Sequence, residues 1–106
     1  LVDDVRRLDP TRLVSAALDR NSGSPLAPVI DDPLGAKLDV LAVNEYVGWY
    51  GEHPIDSIAA LTWTTPFAKP MIFSEFGADA KAGHHGDRRA RWTEEYQAWF
   101  YGETLR

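Results

Sequence analysis

Apolar residues fall along the chain in two kinds of pattern. Val2, Val5 and Leu8 recur at helical spacing among Asp3, Asp4, Arg6 and Arg7, which predicts the last turns of an amphipathic helix. Asp9-Pro10 ends it, because the residue before a proline avoids the helical region. Three other runs, 13–18, 38–43 and 70–73, are largely apolar instead of alternating, which predicts parallel strands covered on both faces. They begin roughly 25 to 30 residues apart, the repeat expected of βα units. Between them, 19–28 is rich in Asn, Ser, Gly and Pro and reads as a loop. Ile55, Ile58 and Leu61 share one face of a short helix over 54–61, while 62–69 carries no clear period. Gly83 to Gly86 reads as a loop, and Asp87 as the N-cap of a final helix carrying Trp92, Tyr96 and Trp99 on one face. No repeat or internal boundary is visible, so 1–106 is expected to form a single unit of class α/β.

Composition narrows the function. The 106 residues are 44% hydrophobic and 25% charged, ordinary for a globular protein and too apolar for a disordered one. A net charge of -5 argues against a nucleic-acid partner, since phosphate binding wants clustered Lys and Arg. No apolar run approaches the roughly 20 residues of a membrane helix. The absence of Cys excludes disulfides, thiolate metal sites and Cys nucleophiles, and leaves the compartment unreadable. Four Trp in so short a chain point to a surface where sugars or partners dock. The chain starts at Leu1, not Met, and is expected to be part of something longer.

Polar residues appear where two of the apolar runs stop. Asn44, Glu45, Tyr46, Trp49 and Tyr50 follow the second run, and Ser74, Glu75 and Asp79 follow the third. Parallel α/β folds keep their working residues at the carboxyl ends of strands. A carboxylate, a phenol and indoles gathered there suit carbohydrate chemistry. The carboxylate attacks an anomeric carbon, the phenol orients it, and an aromatic face stacks on a sugar ring.

Asn44-Glu45-Tyr46-Val47-Gly48-Trp49-Tyr50 together with Ser74-Glu75-Phe76-Gly77-Ala78-Asp79 resembles glycoside hydrolase family 2, in its β-glucuronidase-like branch. Ala82-Gly83-His84-His85, Leu8-Asp9-Pro10-Thr11-Arg12 and Trp92-Thr93-Glu94-Glu95-Tyr96-Gln97 extend the resemblance over nearly the whole chain. It implies a partial (β/α)8 TIM barrel, about strands five to seven with their helices, because a complete barrel needs about 250 residues. It also implies a retaining exo-β-glycosidase acting on a β-glycoside, with the rest of the barrel and N-terminal β-domains as neighbours and with no cofactor or metal.

The resemblance carries roles residue by residue. Glu75 matches the nucleophile and Tyr46 the phenol that orients it. Asn44 shares the strand face of Tyr46 and is expected to orient a sugar hydroxyl or a neighbouring site residue. Trp49, Tyr50 and His85 are expected around the sugar, with barrel packing the alternative for the first two and a solvent-exposed loop position for His85. Asp79 is read as structural, bonding to loop backbone. Glu45 also forms an Asn-Glu pair of the kind that holds the family's general acid/base. It alternates away from Asn44 and Tyr46 and lies only one βα unit before Glu75, so the acid/base is expected upstream of Leu1 and the isolated chain is expected to be inactive. Phe76 replaces a more usual Tyr, and 52–69 is short, which leaves β-galactosidase or another family specificity open, as well as a non-catalytic sugar-binding remnant.

Overall fold

The first helix forms as α1 (Val2–Leu8) in the computed structural model, which describes residues 1–20 and 22–106. Asp3 and Asp4 lie in its first turn and Arg6 and Arg7 in its last, the order that the helix dipole favours. A helix this short is marginal alone. Tertiary contacts hold it: Val2 is buried, Lys37 Nζ pairs with Asp3 at 2.7 Å, and Arg6 pairs with Asp39 at 2.8 Å. The Arg6 hydrogen bond, then the N–H of Val14, keeps the Asp39 carboxyl below the usual range.

Among the described residues the strands are β1 (Ser15–Leu18), β2 (Ser22–Ser24), β3 (Ala27–Val29), β4 (Val40–Glu45) and β5 (Met71–Phe76). β1, β4 and β5 build one sheet in that order, and β1 runs parallel to β4 with Ser15 opposite Val40 and Leu18 opposite Val43. The three apolar runs thus all become strands. Their expected coverage does not hold throughout. Central β4 is covered along most of its length, β1 alternates in exposure, and Ile72 to Glu75 of β5 are exposed. The reason is position, since β1 and β5 are the edges of the sheet.

The expected loop over 19–28 is also corrected. β2 and β3 pair as an antiparallel hairpin, Ser22 opposite Val29. Gly23 makes this possible at φ +87, where a Cβ would stand 2.2 Å from the Ala27 carbonyl oxygen. Asn21, in the same stretch, lies outside the described residues.

The contacts divide the chain into two compact units, 1–44 with 62–75 and 45–61 with 76–106. The first is centred on Leu18, Ile30, Leu38, Leu41 and Val43, with Trp63, Phe67 and Met71 packed against them. A 3-10 helix, Pro33–Lys37, crosses it with Asp32 accepting from the Leu34 N–H. Its terminal carbonyls need donors, and Lys69 Nζ supplies them to Gly35, Ala36 and Leu38 at 2.8, 2.6 and 2.5 Å.

The second unit holds a 3-10 helix, Ile55–Ala60, where the short helix was expected, and α2 (Glu94–Thr104). Trp49, Ile55, Ala78, Tyr96 and Phe100 form its core. The start of α2 differs from expectation. Thr93, not Asp87, is the cap: its hydroxyl accepts from the Tyr96 N–H at 3.1 Å and donates to the Ala90 carbonyl at 2.7 Å. Asp87 closes a separate turn by accepting from the Arg89 N–H. Trp92 therefore stands outside the helix, at φ +73, bridged to Ala80. The buried stripe of α2 is Tyr96 and Phe100, with Trp99 half-buried beside them.

Candidate active site

In the first unit, the ends of β4 and β5 bring Asn44 and Ser74 together. Ser74 Oγ bonds Asn44 Oδ1 at 2.8 Å and the Val43 carbonyl at 3.2 Å. This ties the Asn44 amide to the neighbouring strand and fixes its rotamer. Glu75 occupies the next position of β5 and is exposed.

In the second unit, Tyr46 opens a tight turn. Its carbonyl accepts from the N–H groups of both Trp49 and Tyr50, at 2.9 and 3.0 Å. Gly48 takes φ +97 inside this turn, where a Cβ would meet Ile55 Cγ1 at 2.9 Å. Its carbonyl receives the Tyr96 hydroxyl, which binds the turn to α2. Glu45, 5% exposed, accepts from the Val47 N–H and caps the same turn. Its carboxylate is thereby held by local backbone, while Asn44 beside it is exposed.

The turn forms one wall of a cavity of about 260 Å³. Tyr46, Trp49 and Tyr50 face it from one side, Phe76 to Asp79 from another, and Gln97 and Tyr101 from α2. Tyr46 and Tyr50 meet edge to face at 5.2 Å, as do Phe76 and Tyr101 at 5.7 Å. Gln97 Nε2 donates to the Ala78 carbonyl at 2.7 Å and anchors the second wall to the helix. The two aromatic residues expected around a sugar thus separate. Trp49, 7% exposed, is a core residue that also lines the cavity, whereas Tyr50, 66% exposed, stands largely in solvent at its rim. Asp79 is exposed at the cavity wall.

His85 sits elsewhere in the unit. Its Nδ1 bonds Glu95 Oε1 at 2.9 Å, and Glu94 lies 3.8 Å from Nε2. The hydrogen bond to Glu95, then the charges of Glu95 and Glu94, raise the His85 pKa. Glu95 is lowered in turn, by its own backbone N–H first and then by His85. Gly83 and Gly86 donate to Glu94 and Glu95, so this group splices the 83–86 loop onto the first turn of α2. Among the described residues no set of three His, Asp or Glu gathers to hold a metal ion, and no helix is long and apolar enough to cross a membrane. Gln97 and Tyr101 were not singled out in the sequence. Their i, i+4 spacing behind the Thr93 cap is the signal that places both on one helix face.

Comparisons with known proteins agree with this architecture. A β-glucuronidase of Paenibacillus borealis is 35% identical over 92% of this chain and 16% of its own length. A solved β-D-glucuronidase of Dictyoglomus thermophilum superposes with a TM-score of 0.69 at 28% identity, over 98% of this chain and 18% of its own. A β-galacturonidase from Eisenbergiella tayi superposes with a TM-score of 0.69 at 26% identity over the same shares. The chain therefore spans about a sixth of the length of the curated relatives it matches. The family model for the glycosyl hydrolases family 2 TIM barrel domain matches residues 1–104, so this parallel-stranded α/β chain belongs to that family.

Proposed function

We propose that the chain supplies the nucleophile half of the active site of a retaining β-glycosidase, most like a β-glucuronidase, from strands five to seven of a (β/α)8 barrel. The observation that carries this reading is Glu75 at the carboxyl end of β5, followed by Phe76-Gly77-Ala78-Asp79, in a chain matched almost throughout by the family's barrel domain. In the proposed reaction the Glu75 carboxylate attacks the anomeric carbon, the bond to the leaving oxygen breaks, and a general acid outside 1–106 protonates that oxygen. Water then attacks the glycosyl ester, giving up its proton to the same group, now a base, and Glu75 leaves as the carboxylate. Tyr46 holds Glu75 ionised and aimed, Asn44 bonds a sugar hydroxyl, and Tyr50, Trp49 and His85 shape the surroundings of the sugar.

The similarity to a β-galacturonidase favours a second specificity, a uronide of the galacto configuration. Both readings share the mechanism and differ in the sugar. The test uses the longest reading frame that contains the chain, assayed on nitrophenyl β-glucuronide, β-galacturonide and β-galactoside. Glu75→Gln is expected to abolish turnover while the fold persists. Azide is expected to restore turnover to Glu75→Ala with an inverted glycosyl azide as product. Near-normal rates in Glu75→Gln would overturn the nucleophile assignment. The 106-residue chain alone is expected to be inactive, and turnover by it would mean that Glu45 or another of its groups acts as the acid.

A further inference from the structure

The second unit contains another groove, of about 240 Å³, that shares no lining residue with the Tyr46–Tyr101 cavity. Glu52, His53, Arg89, Arg91 and Trp99 are among the residues that line it. The basic residues stand out in a chain of net charge -5, because Arg88, Arg89 and Arg91 fall within four positions. All three guanidinium groups lie over indole rings: Arg88 and Arg89 over Trp99 at 4.7 and 4.9 Å, and Arg91 over Trp49 at 5.8 Å. Stacking uses the face of a guanidinium and leaves its in-plane N–H fork to bind something else. Arg89 spends part of its fork on Asp56, at 3.0 Å. Arg88 and Arg91 make no hydrogen bond or ion pair among the described residues.

We propose that this groove binds a small ring carboxylate, gripped by the fork of Arg91 with Arg89 and His53 beside it. Planar forks match carboxylates bidentately, which is why Arg recurs where they are recognised. Glu52 on the same wall disfavours polyanions and accepts from ligand hydroxyls. The volume, below the roughly 300–1,000 Å³ of drug-sized sites, limits the ligand to about one ring. The carboxylate belongs either to an acidic sugar or to a hydrocarbon acid, and the inference does not depend on the role of Glu75.

The test is a tryptophan-fluorescence titration of the chain with sodium glucuronate and with sodium cyclohexanecarboxylate, at constant ionic strength, against glucose and sodium chloride. A saturable response to a carboxylate is expected, and the tighter of the two names the source. Arg91→Gln and Arg91→Lys are each expected to weaken it at least tenfold, the second keeping the charge and the exposed site but losing the fork. Glu75→Gln is expected to leave the titration unchanged. Carboxylate responses no stronger than those of glucose or chloride would overturn the proposal. So would wild-type binding in either Arg91 variant, or loss of binding in Glu75→Gln, which assigns the ligand to the strand ends instead.

Discussion

Thr93 is one residue on which both walls of α2 depend, and removing its hydroxyl should be costly. The side chain is 1% exposed, so water does not replace what is lost. Three contacts go: the Tyr96 N–H loses its side-chain acceptor, and the carbonyls of Ala90, at 2.7 Å, and Asp87, at 3.4 Å, lose the hydroxyl as a donor. Loss of an N-cap hydroxyl costs about 1 kcal/mol. The Ala90 carbonyl keeps the Thr93 N–H at 3.3 Å, so losing the hydroxyl's bond to it adds only the net worth of a typical hydrogen bond, about 1 kcal/mol. The sum, about 2 kcal/mol, corresponds to about 8–16 °C in melting temperature for a domain of this size. Thr93→Val removes the hydroxyl while keeping the shape. Thr93→Ser keeps the hydroxyl and loses one methyl group, at about 0.8 kcal/mol. Urea unfolding of the chain at low concentration, followed by tryptophan fluorescence, orders the two. Thr93→Val is expected to unfold at clearly lower urea than Thr93→Ser. If Thr93→Val unfolds with the wild type, the cap does not set the start of α2, and the positions of Gln97 and Tyr101 need another cause.

Two further outcomes follow from the same structure. His85 is raised from its ordinary value near 6.5, so its pairing with Glu95 contributes stability fully present below that value and lost as pH climbs through the raised folded pKa. Glu95 is lowered from about 4.5, so its contribution is present above that value and lost as pH falls through the lowered folded pKa. The 83–86 loop should therefore be most protected from amide exchange between the two, and in an NMR titration the His85 ring should change charge at higher pH than a free imidazole. An ordinary His85 midpoint would dissolve the splice. The second outcome concerns association: Ile72 and Phe73, 50% and 47% exposed on edge strand β5, should make the isolated chain self-associate. Light scattering across a dilution series checks this, and a sharp monomer at every concentration would contradict it.

Much of the architecture was legible because hydrophobic runs and their ends are local features. Leu38 to Val43 and Met71 to Phe73 had to be strands, and the polar residues beyond them had to stand at strand ends. The hairpin around Gly23 is hidden because its strands are only three residues each, one Ser-Gly-Ser and the other Ala-Pro-Val with a proline at its centre, so no alternation marks them. Residue type alone does not choose the cap of α2, because Asp87 and Thr93 are both good caps in isolation. What decides is Trp92 at φ +73, a conformation that no pattern of residue types announces. Strand ends and family resemblance single out Asn44, Glu75 and Tyr46 from the sequence alone. The commitment of Glu45 to the Val47 N–H and of His85 to Glu95 required coordinates, because each depends on a rotamer. The three arginines drew no attention in a net acidic chain, since their significance comes from the indoles beneath them.

The central claim is that the Glu75 carboxylate bonds covalently to the sugar. A slow 2-fluoro β-glucuronide, incubated with the longest reading frame containing the chain, should arrest the reaction at the glycosyl ester. Peptide mass spectrometry of the digested protein is then expected to find the sugar on Glu75. An adduct on Glu45 or any other residue, or steady hydrolysis with the Glu75 peptide unmodified, would contradict the account.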